Sequence, residues 1–264
     1  MKGTNMAIKL LKLASCLLFL HFGLAQAEEQ LSEKDSKKNI ASFKVCTTGG
    51  FIPFSSYSNG GWEGFDIDMM KDFSSYLKSK LEIINYNIDG IIPALNTKKC
   101  DMIAAGLTIT EERKKSILFS DPYFTSGIVY LFKKNNTLIS EIKSPEDLNN
   151  PKIKVGVKLG TTNDFYAAKN LNKSIILKFN EYGDVINAVR NNKVDTIIID
   201  LSYGVSIEKK FPGVFDYKNT DSNNEHFGVA GRIKDKVLIK KFNEFLKQWK
   251  SSGKYDQTFK KYFN

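Results

Sequence analysis

The chain has 264 residues, and its 39 Lys and Arg against 29 Asp and Glu give a formal net charge of +10. With 42% apolar and 12% aromatic residues it can bury a core, which excludes a wholly disordered protein. The two histidines and three cysteines form no cluster with metal-ligand spacing, so we expect no metal and no cofactor. A hydrolase with a catalytic histidine would depend on His226 alone.

The first 27 residues are typical of a cleavable signal peptide. Lysines precede an apolar run over residues 13–25, and Ala25 and Ala27 are small residues where a signal peptidase needs them. The run is too short to cross a bilayer comfortably, although a retained anchor is one alternative. A lipoprotein is another, because residues 13–16 resemble a lipobox that ends at Cys16. We expect cleavage after Ala27 and an exported, soluble mature protein.

The basic charge is spread along the chain, almost entirely as lysine. Only Arg113, Arg190 and Arg232 are arginines, whereas proteins that bind nucleic-acid phosphates usually cluster arginines with aromatic residues on one face. A solvated lysine-rich surface explains the charge, and we expect no nucleic-acid partner.

From residue 43 onward, short apolar runs alternate with amphipathic segments. The pattern predicts strand 44–47, helix 65–81, strand 81–86, helix 90–96, strand 101–105, strand 128–133, strand 153–157, helix 163–170, strand 174–179, helix 182–191, strand 194–199, strand 227–230, helix 238–250 and a last short helix. Such alternation indicates parallel sheets covered by helices on both faces.

One segment of the chain is repeated. Residues 92–103 and residues 186–197 carry Ile, Ala, Lys, Asp and Ile at corresponding positions, and both fall on a predicted helix, turn and strand. We therefore predict two similar α/β lobes.

The predicted lobe borders follow from the continuity of these elements. Residues 1–27 are the signal peptide, 28–41 a flexible charged leader, 42–132 plus 226–264 lobe 1, and 133–225 lobe 2. The chain then crosses between the lobes twice, and two crossing strands make a hinge.

Two cysteines, Cys46 and Cys100, remain in the mature chain, and both lie in apolar, strand-like runs. We expect buried free thiols. A disulfide, which export permits, is the alternative and requires the two strands to place the cysteines opposite each other.

The segment from residue 106 to residue 113 places Arg113 in the first turn of a short helix. A threonine N-cap and two glutamates suit the positive end of this helix, but a cation there is disfavoured. One interpretation is a local ion pair of Arg113 with Glu111 or Asp121. The other is a bidentate fork that binds a ligand carboxylate, with the Thr108 hydroxyl as a further donor.

Two further groups complete a candidate site for a zwitterion. Gly160-Thr161-Thr162-Asn163 opens a helix, where backbone N–H groups and hydroxyls bind anions, although the same sequence is a common capped turn. Asp200 ends a strand at the edge where open α/β sheets bind ligands, although it could equally cap the next helix. Arg113 and Thr162 for a carboxylate, with Asp200 for an ammonium, together suit an α-amino acid.

A series of motifs runs through the mature chain in order. They are Phe51-Ile52-Pro53-Phe54, Gly64-Phe65-Asp66-Ile67-Asp68, Asp89-Gly90-Ile91-Ile92-Pro93-Ala94-Leu95, Asp101-Met102-Ile103-Ala104-Ala105-Gly106, Thr108-Ile109-Thr110-Glu111-Glu112-Arg113, Phe119-Ser120-Asp121-Pro122-Tyr123, Gly160-Thr161-Thr162 and Gly253-Lys254-Tyr255-Asp256. In these motifs the chain resembles the family 3 solute-binding proteins of bacterial ABC transporters, the periplasmic receptors for polar amino acids. The resemblance implies an α/β, two-lobed periplasmic binding protein (a Venus flytrap of type II, with two crossover strands).

The resemblance also implies a role for individual positions. Arg113, helped by Thr108 and Thr162, grips the α-carboxylate. The Gly106 carbonyl and the Asp200 carboxylate hold the α-ammonium, whereas residues 64–68 are mostly structural. The predicted ligand-binding residues, with none catalytic and none metal-binding, are Thr48, Phe51, Ile88, Ala105, Gly106, Thr108, Arg113, Lys158, Thr161, Thr162 and Asp200.

Four of these positions bear on the ligand side chain. Phe51 is expected to cover one side of the ligand. The position of Thr48 is often Asp in family members that bind cationic or amide side chains. Ile88 stands where many members have an aromatic residue. Lys158 aligns with a side-chain-reading position that is lysine in glutamine-type receptors, and it would repel a cationic ligand. A lysine that snorkels to the surface is the alternative. We therefore predict a neutral or acidic ligand, with glutamine first.

The predicted function is a monomeric receptor, not an enzyme, that delivers a polar amino acid to a membrane ABC permease. One alternative is an enzyme of the cyclohexadienyl dehydratase type, which shares the fold and needs a general acid in the cleft. Asp200 in an ion pair would be a poor proton donor, because its pKa would be lowered. Another alternative is an extracellular sensor or adhesin with a basic face.

Overall fold

The structure, a computed structural model, describes residues 42–222 and 224–264. The predictions for the signal peptide, the leader and Cys16 fall outside these residues. Within the two ranges, no helix has both the length and the apolar character needed to cross a membrane.

The order of elements follows the predicted alternation. The strands are β1 (Ser42–Thr47), β2 (Ser56–Ser58), β3 (Gly61–Glu63), β4 (Lys80–Asn85), β5 (Met102–Ile103), β6 (Leu118–Phe119), β7 (Phe124–Ser126), β8 (Ile128–Lys133), β9 (Lys154–Lys158), β10 (Ile175–Phe179), β11 (Thr196–Asp200), β12 (Phe215–Asn219), β13 (Glu225–Phe227) and β14 (Ala230–Gly231). The helices are α1 (Phe65–Tyr76), α2 (Ile88–Asn96), α3 (Glu111–Lys114), α4 (Thr137–Ser140), α5 (Thr162–Asn170), α6 (Tyr182–Arg190), α7 (Leu201–Lys210), α8 (Lys236–Ser251) and α9 (Lys254–Phe263), with a 3-10 helix at Pro145–Leu148.

The first sheet has the strand order β4–β1–β5–β14–β6. β1 pairs in parallel with β4 and β5, and β14 runs antiparallel to β5 and β6. Successive residues of β1 face opposite sides, so Val45 packs in one buried cluster with Phe73 and Phe242, and Cys46 packs in another with Ile91. Helices therefore cover both faces of this sheet.

The second sheet has the strand order β10–β9–β11–β8–β12. β9 pairs in parallel with β10 and β11, whereas β8 runs antiparallel to β11 and β12. All of Ile128–Lys133 thus lies in this sheet, although the border expected between residues 132 and 133 assigns most of it to lobe 1. β8 belongs to the second sheet because it pairs antiparallel with β11. This pairing cannot be read from the position of β8 along the chain.

A two-stranded ribbon joins the two sheets. β7 pairs antiparallel with β13, with Glu225 opposite Ser126 and Phe227 opposite Phe124. The single strand predicted at residues 227–230 is therefore two strands, because β13 belongs to the ribbon and β14 to the first sheet. The two crossings form a hinge of the kind that lets two lobes close on each other.

The repeated segment forms the same unit in both lobes. α2 and β5 in one lobe correspond to α6 and β11 in the other. The two aspartates of the repeat have the same role: Asp101 accepts a hydrogen bond from the Lys44 N–H at 3.0 Å, and Asp195 accepts one from the Lys154 N–H at 2.8 Å. Each aspartate therefore ties the repeated strand to its parallel neighbour in the sheet, β1 for β5 and β9 for β11.

The expectation of free thiols is wrong. Cys46 and Cys100 form a disulfide, and their Cα atoms are 5.7 Å apart. Helix α2 returns the chain so that Cys100 lies two residues before β5. β5 pairs with β1, the strand that contains Cys46. The pairing of these two parallel strands creates the close approach that a disulfide needs.

Candidate functional site: a cavity between the two lobes

A small cavity lies between the lobes. Its volume is about 20 Å³, room for about one water molecule. Its lining comprises Phe51, Ile88, Ala105, Gly106, Leu107, Thr108 and Arg113 from the first lobe and Thr161, Thr162, Tyr182 and Asp200 from the second. All predicted ligand-binding residues except Thr48 and Lys158 therefore meet at one cavity.

Arg113 reaches this cavity from α3. The Thr110 side chain caps the helix by accepting a hydrogen bond from the Arg113 backbone N–H at 3.2 Å. The guanidinium Nη1 donates to the Thr108 carbonyl at 2.8 Å, and Nη2 donates to the Gly160 carbonyl of the other lobe at 3.4 Å. Arg113 thus contacts both lobes, and further guanidinium N–H groups remain for a carboxylate.

Among residues 42–222 and 224–264, Arg113 forms no ion pair. Glu111, one candidate partner, pairs with Lys114 at 2.7 Å, so the fork of Arg113 stays directed at the cavity. Burial lowers the pKa of Arg113, and the nearby carboxyl groups of Glu225 and Asp200 offset that effect only in part. A guanidinium stays charged across the working range of proteins, so it supplies a fixed positive charge.

Asp200 lies at the carboxyl end of β11 and is 4% exposed. It occupies the N-cap position of α7, but its side chain makes no capping hydrogen bond. Its Oδ2 accepts a hydrogen bond from Asn163 Nδ2 at 3.0 Å instead. The ligand interpretation therefore fits Asp200 better than the capping interpretation.

The pKa of Asp200 is shifted in the direction opposite to the one that an ion pair would cause. Burial raises the pKa of Asp200 well above its ordinary value, and the carboxyl group of Glu225 raises it further. The predicted ion pair would have lowered it. The predicted lowering belongs to an Asp200 that is paired with a ligand ammonium, so the prediction that a paired Asp200 is a poor proton donor stays a prediction.

The two threonines at the start of α5 have different roles. The Thr161 hydroxyl accepts from the Asp164 N–H at 3.2 Å and donates to the Lys158 carbonyl at 2.7 Å, so it caps the helix. The Thr162 hydroxyl instead donates to Glu225 Oε2 at 3.2 Å. Of the two side chains, Thr162 is the one positioned for a ligand.

The first-lobe wall needs a glycine at position 106. Gly106 has φ +55°, and a Cβ there would lie 2.2 Å from the Phe51 ring. Its N–H donates to Asp66 Oδ2 at 2.7 Å. Burial raises the pKa of Asp66 to about 7, although the Gly106 N–H favours the charged form. The Asp66 carboxyl group therefore helps to hold the backbone whose carbonyl is expected to face a ligand.

Aromatic rings close the other side of the cavity. Phe51 is 1% exposed and stacks on Tyr182 of the opposite lobe, with ring centroids 5.1 Å apart and planes at 20°. Tyr203 packs against both rings at 5.7 and 4.9 Å. The cover predicted from Phe51 alone is thus a cluster from both lobes, and the sequence reasoning did not include either tyrosine.

Lys158 and Thr48 do not line the cavity. Lys158 is 2% exposed, its Nζ donates to the Asn180 carbonyl, and it lies 5.1 Å from the Tyr182 ring centroid. Burial lowers the pKa of Lys158, and the nearby acids Glu181, Asp89 and Asp184 offset this lowering only in part. Thr48 is buried and its carbonyl accepts from Ser55 Oγ at 2.6 Å. Local partners direct both groups away from this cavity, and their role in ligand binding stays a prediction.

Glu225 is the charged group that sequence reasoning missed. It lies on the hinge strand β13, is 7% exposed, and accepts from Thr108 Oγ1 at 3.4 Å as well as from Thr162. Burial raises its pKa, and its partners Thr162 and Asp200 lower it. The only signal in the sequence was its position beside the predicted hinge strand.

Comparison with known proteins identifies the family. Residues 43–264 match the bacterial extracellular solute-binding proteins, family 3. The chain is 34% identical over 226 residues to a probable histidine-binding protein of Neisseria gonorrhoeae, covering 84% of this chain and 82% of the relative. It is 30% identical over 271 residues to the ABC transporter glutamine-binding protein GlnH of Bacillus subtilis (strain 168), covering 97% and 96%.

Two solved structures agree. The ancestral amino acid-binding protein AncCDT-1, described as a precursor of cyclohexadienyl dehydratase, has a TM-score of 0.80 and 38% identity, covering 89% of this chain and all 100% of that chain. An ancestral arginine-binding protein bound to arginine has a TM-score of 0.80 and 35% identity, covering 85% and 99%. The predicted two-lobed α/β class is confirmed, and the chain belongs to the bacterial extracellular solute-binding proteins of family 3.

Proposed function

We propose that the cavity between the lobes binds a free polar α-amino acid, and that the preferred ligand has a positively charged side chain. The observation that carries the proposal is that Arg113 of one lobe and Asp200 of the other line the same cavity. A guanidinium fork and a carboxylate are complementary to the two charges of a zwitterion.

The balance of charge supports a cationic side chain. Asp200 and Glu225 are two acids against the single guanidinium of Arg113, and Lys158 is engaged by the Asn180 carbonyl. Lys158 keeps its positive charge, but its Nζ is directed to the Asn180 carbonyl and not into the cavity, which weakens the repulsion argument for glutamine. When the lobes part, the contact between Phe51 and Tyr182 opens, and each ring can then offer a face to a flat cation such as guanidinium or imidazolium.

The names of the relatives are compatible with such a ligand. The Neisseria gonorrhoeae relative is named a probable histidine-binding protein, and one solved structure is an arginine-binding protein with arginine bound. The Bacillus subtilis relative is named for glutamine, which makes glutamine the natural comparison ligand.

The mechanism follows from the hinge. About 20 Å³ holds no amino acid, so the lobes must part at the β7–β13 ribbon before a ligand enters. Closure is favoured because only the closed form brings Arg113 and Asp200 to the ligand together. Micromolar affinity, about −8 kcal/mol, would be ordinary for such a site.

The same proposal covers location and partners. The family is extracellular, and the Cys46–Cys100 disulfide suits an oxidising compartment. We expect a monomer that is exported by cleavage after Ala27 and that presents its closed form to a membrane ABC permease. No covalent chemistry is part of this function.

One observation supports a second candidate, an enzyme of the cyclohexadienyl dehydratase type. Such chemistry needs a general acid, and the raised pKa of Asp200 keeps a proton available in the cavity. A solved relative is also described as a precursor of that enzyme.

A thermal-shift screen of the twenty amino acids, followed by calorimetry, tests the receptor function. Arginine, histidine or lysine should raise the Tm by mass action and bind more tightly than glutamine. A screen in which no amino acid shifts the Tm would refute the receptor function, and a preference for glutamine would refute the charge argument. Formation of phenylpyruvate from prephenate would instead establish the enzyme.

A further inference from the structure

The lysines of helix α8 are concentrated on one face of the helix. Four of them line a single groove on the outside of the first lobe, and we call them the lysine stripe: Lys236, Lys240, Lys247 and Lys250. Their positions recur at close to whole turns of an α-helix, so their side chains share one face. All four lysines are exposed.

The groove beside the lysine stripe has a volume of about 700 Å³. Its apolar base comes from Ile239 and Leu246 of α8 and from Leu118 and Phe119 of β6. β6 is the last strand of the first sheet, so one of its edges has no partner strand among the described residues. An unpartnered edge is a place where an extended chain can add to a sheet.

The groove carries an excess of positive charge. Its acidic residues are Asp121 and Glu244, against the four lysines of the stripe. Within residues 42–222 and 224–264, none of these six side chains forms an ion pair. Lys250 donates to the Pro122 carbonyl at 3.4 Å. The other three ammonium groups of the stripe are therefore available to an acidic partner.

The dimensions of the groove favour a narrow, extended partner. The stripe runs from residue 236 to residue 250, which at the rise of an α-helix is about 21 Å, and roughly six extended residues span the same distance. Alternate residues of an extended chain face one side at a spacing of about 6.6 Å, close to the rise of about 6 Å between Lys236 and Lys240. A membrane surface is broad and flat, so it would reach the rim of the groove but not its apolar base.

We propose that this groove binds an extended acidic peptide segment of another protein, with acidic side chains at alternate positions facing the lysine stripe. The groove shares no lining residue with the cavity between the lobes, so this inference goes beyond the amino-acid-binding function and does not depend on it. The carboxylates pair with the free ammonium groups, and the apolar base packs against the peptide chain. Binding weakens with added salt because exposed charges are screened.

Fluorescence anisotropy with a labelled peptide of about eight residues, in which glutamate and threonine alternate, tests the proposal. The groove variant is Lys236→Gln/Lys240→Gln/Lys247→Gln, and it should raise the Kd of the peptide at least about fivefold relative to the wild type. The matched control is Lys241→Gln/Lys254→Gln/Lys260→Gln, which removes the same charge from exposed positions outside the groove. The control should stay within about twofold of the wild type.

The result that would overturn the proposal is specific for each measurement. Equal weakening in the groove variant and the control would show only a diffuse attraction to a basic protein. On the wild type alone, a peptide of the same composition with its glutamates consecutive should bind more weakly, and equal affinity would refute the alternating register. Binding to phosphatidylglycerol vesicles that the groove variant loses, with no binding of either peptide, would assign the groove to a membrane surface instead. Both variants should keep the wild-type Tm and amino-acid response, which separates this test from that of the proposed function.

Discussion

Replacing Arg113 by lysine tests the carboxylate half of the site. Arg113→Lys keeps the charge but loses the planar fork. In the structure, Nη1 and Nη2 donate to the carbonyls of Thr108 and Gly160, at 2.8 and 3.4 Å, and other N–H groups remain for a ligand. A lysine ammonium is a point charge and cannot hold both lobes and a carboxylate in this geometry.

The magnitude follows from the hydrogen bonds lost. A hydrogen bond to a charged group contributes about 1.5–3 kcal/mol. Loss of one such bond to the ligand should raise the Kd by at least about tenfold, since a factor of ten corresponds to about 1.4 kcal/mol. Calorimetry with the amino acid that the thermal-shift screen identifies measures this change directly.

Arg190→Lys is the matched control. Arg190 ends α6 on the exposed surface, with its guanidinium 4.9 Å from the Phe211 ring centroid, and does not line the cavity. We expect its Kd to stay within twofold of the wild type, a change of roughly 0.4 kcal/mol at most. Equal affinities for Arg113→Lys and the wild type would refute the carboxylate role of Arg113.

Three further predictions concern stability. Reducing the Cys46–Cys100 disulfide, whose cysteines are 54 residues apart, should cost about 4 kcal/mol on chain-entropy grounds, and an unchanged Tm in dithiothreitol would contradict this. Gly106→Ala should lower both Tm and affinity because its Cβ would meet an aromatic ring at 2.2 Å, whereas Gly183→Ala, with open space around its Cβ, should be neutral or slightly stabilising. Burial raises the pKa of Asp66 to about 7, so the stability that its protonated form contributes should be present below pH about 4 and lost as pH rises to about 7. Asp66→Asn should flatten the unfolding free energy over that range, and an unchanged pH profile would refute the argument.

The sequence pattern predicted the fold because the features it depends on are local in the chain. Strand and helix periodicity, the repeated segment and the glycine-threonine turn each depend on neighbours within a few residues. The repeat shows this well, since Asp101 and Asp195 contact the backbones of Lys44 and Lys154 in the same way. Where the prediction fails, as for β8 and for the divided strand at residues 227–230, sheet membership depends on pairing with a distant strand.

The candidate site was predictable where residue type and position agree. Arg113 follows a capped turn and Asp200 ends a strand, so backbone geometry alone directs both toward the edge of a sheet. Lys158 has a long side chain, and its direction is set by the carbonyl of Asn180. The sequence does not contain that contact.

By itself, the sequence determined the alternating α/β architecture, the family and the pair of opposite charges suited to a zwitterion. Only the tertiary structure decided that Cys46 and Cys100 are bonded, that Lys158 is directed away from the cavity and that Glu225 contacts the threonines of both lobes. The physical reason is the range of the interactions. Propensity and periodicity act between neighbours in the chain, whereas strand pairing, side-chain direction and the pKa of a buried acid depend on groups that only folding brings together.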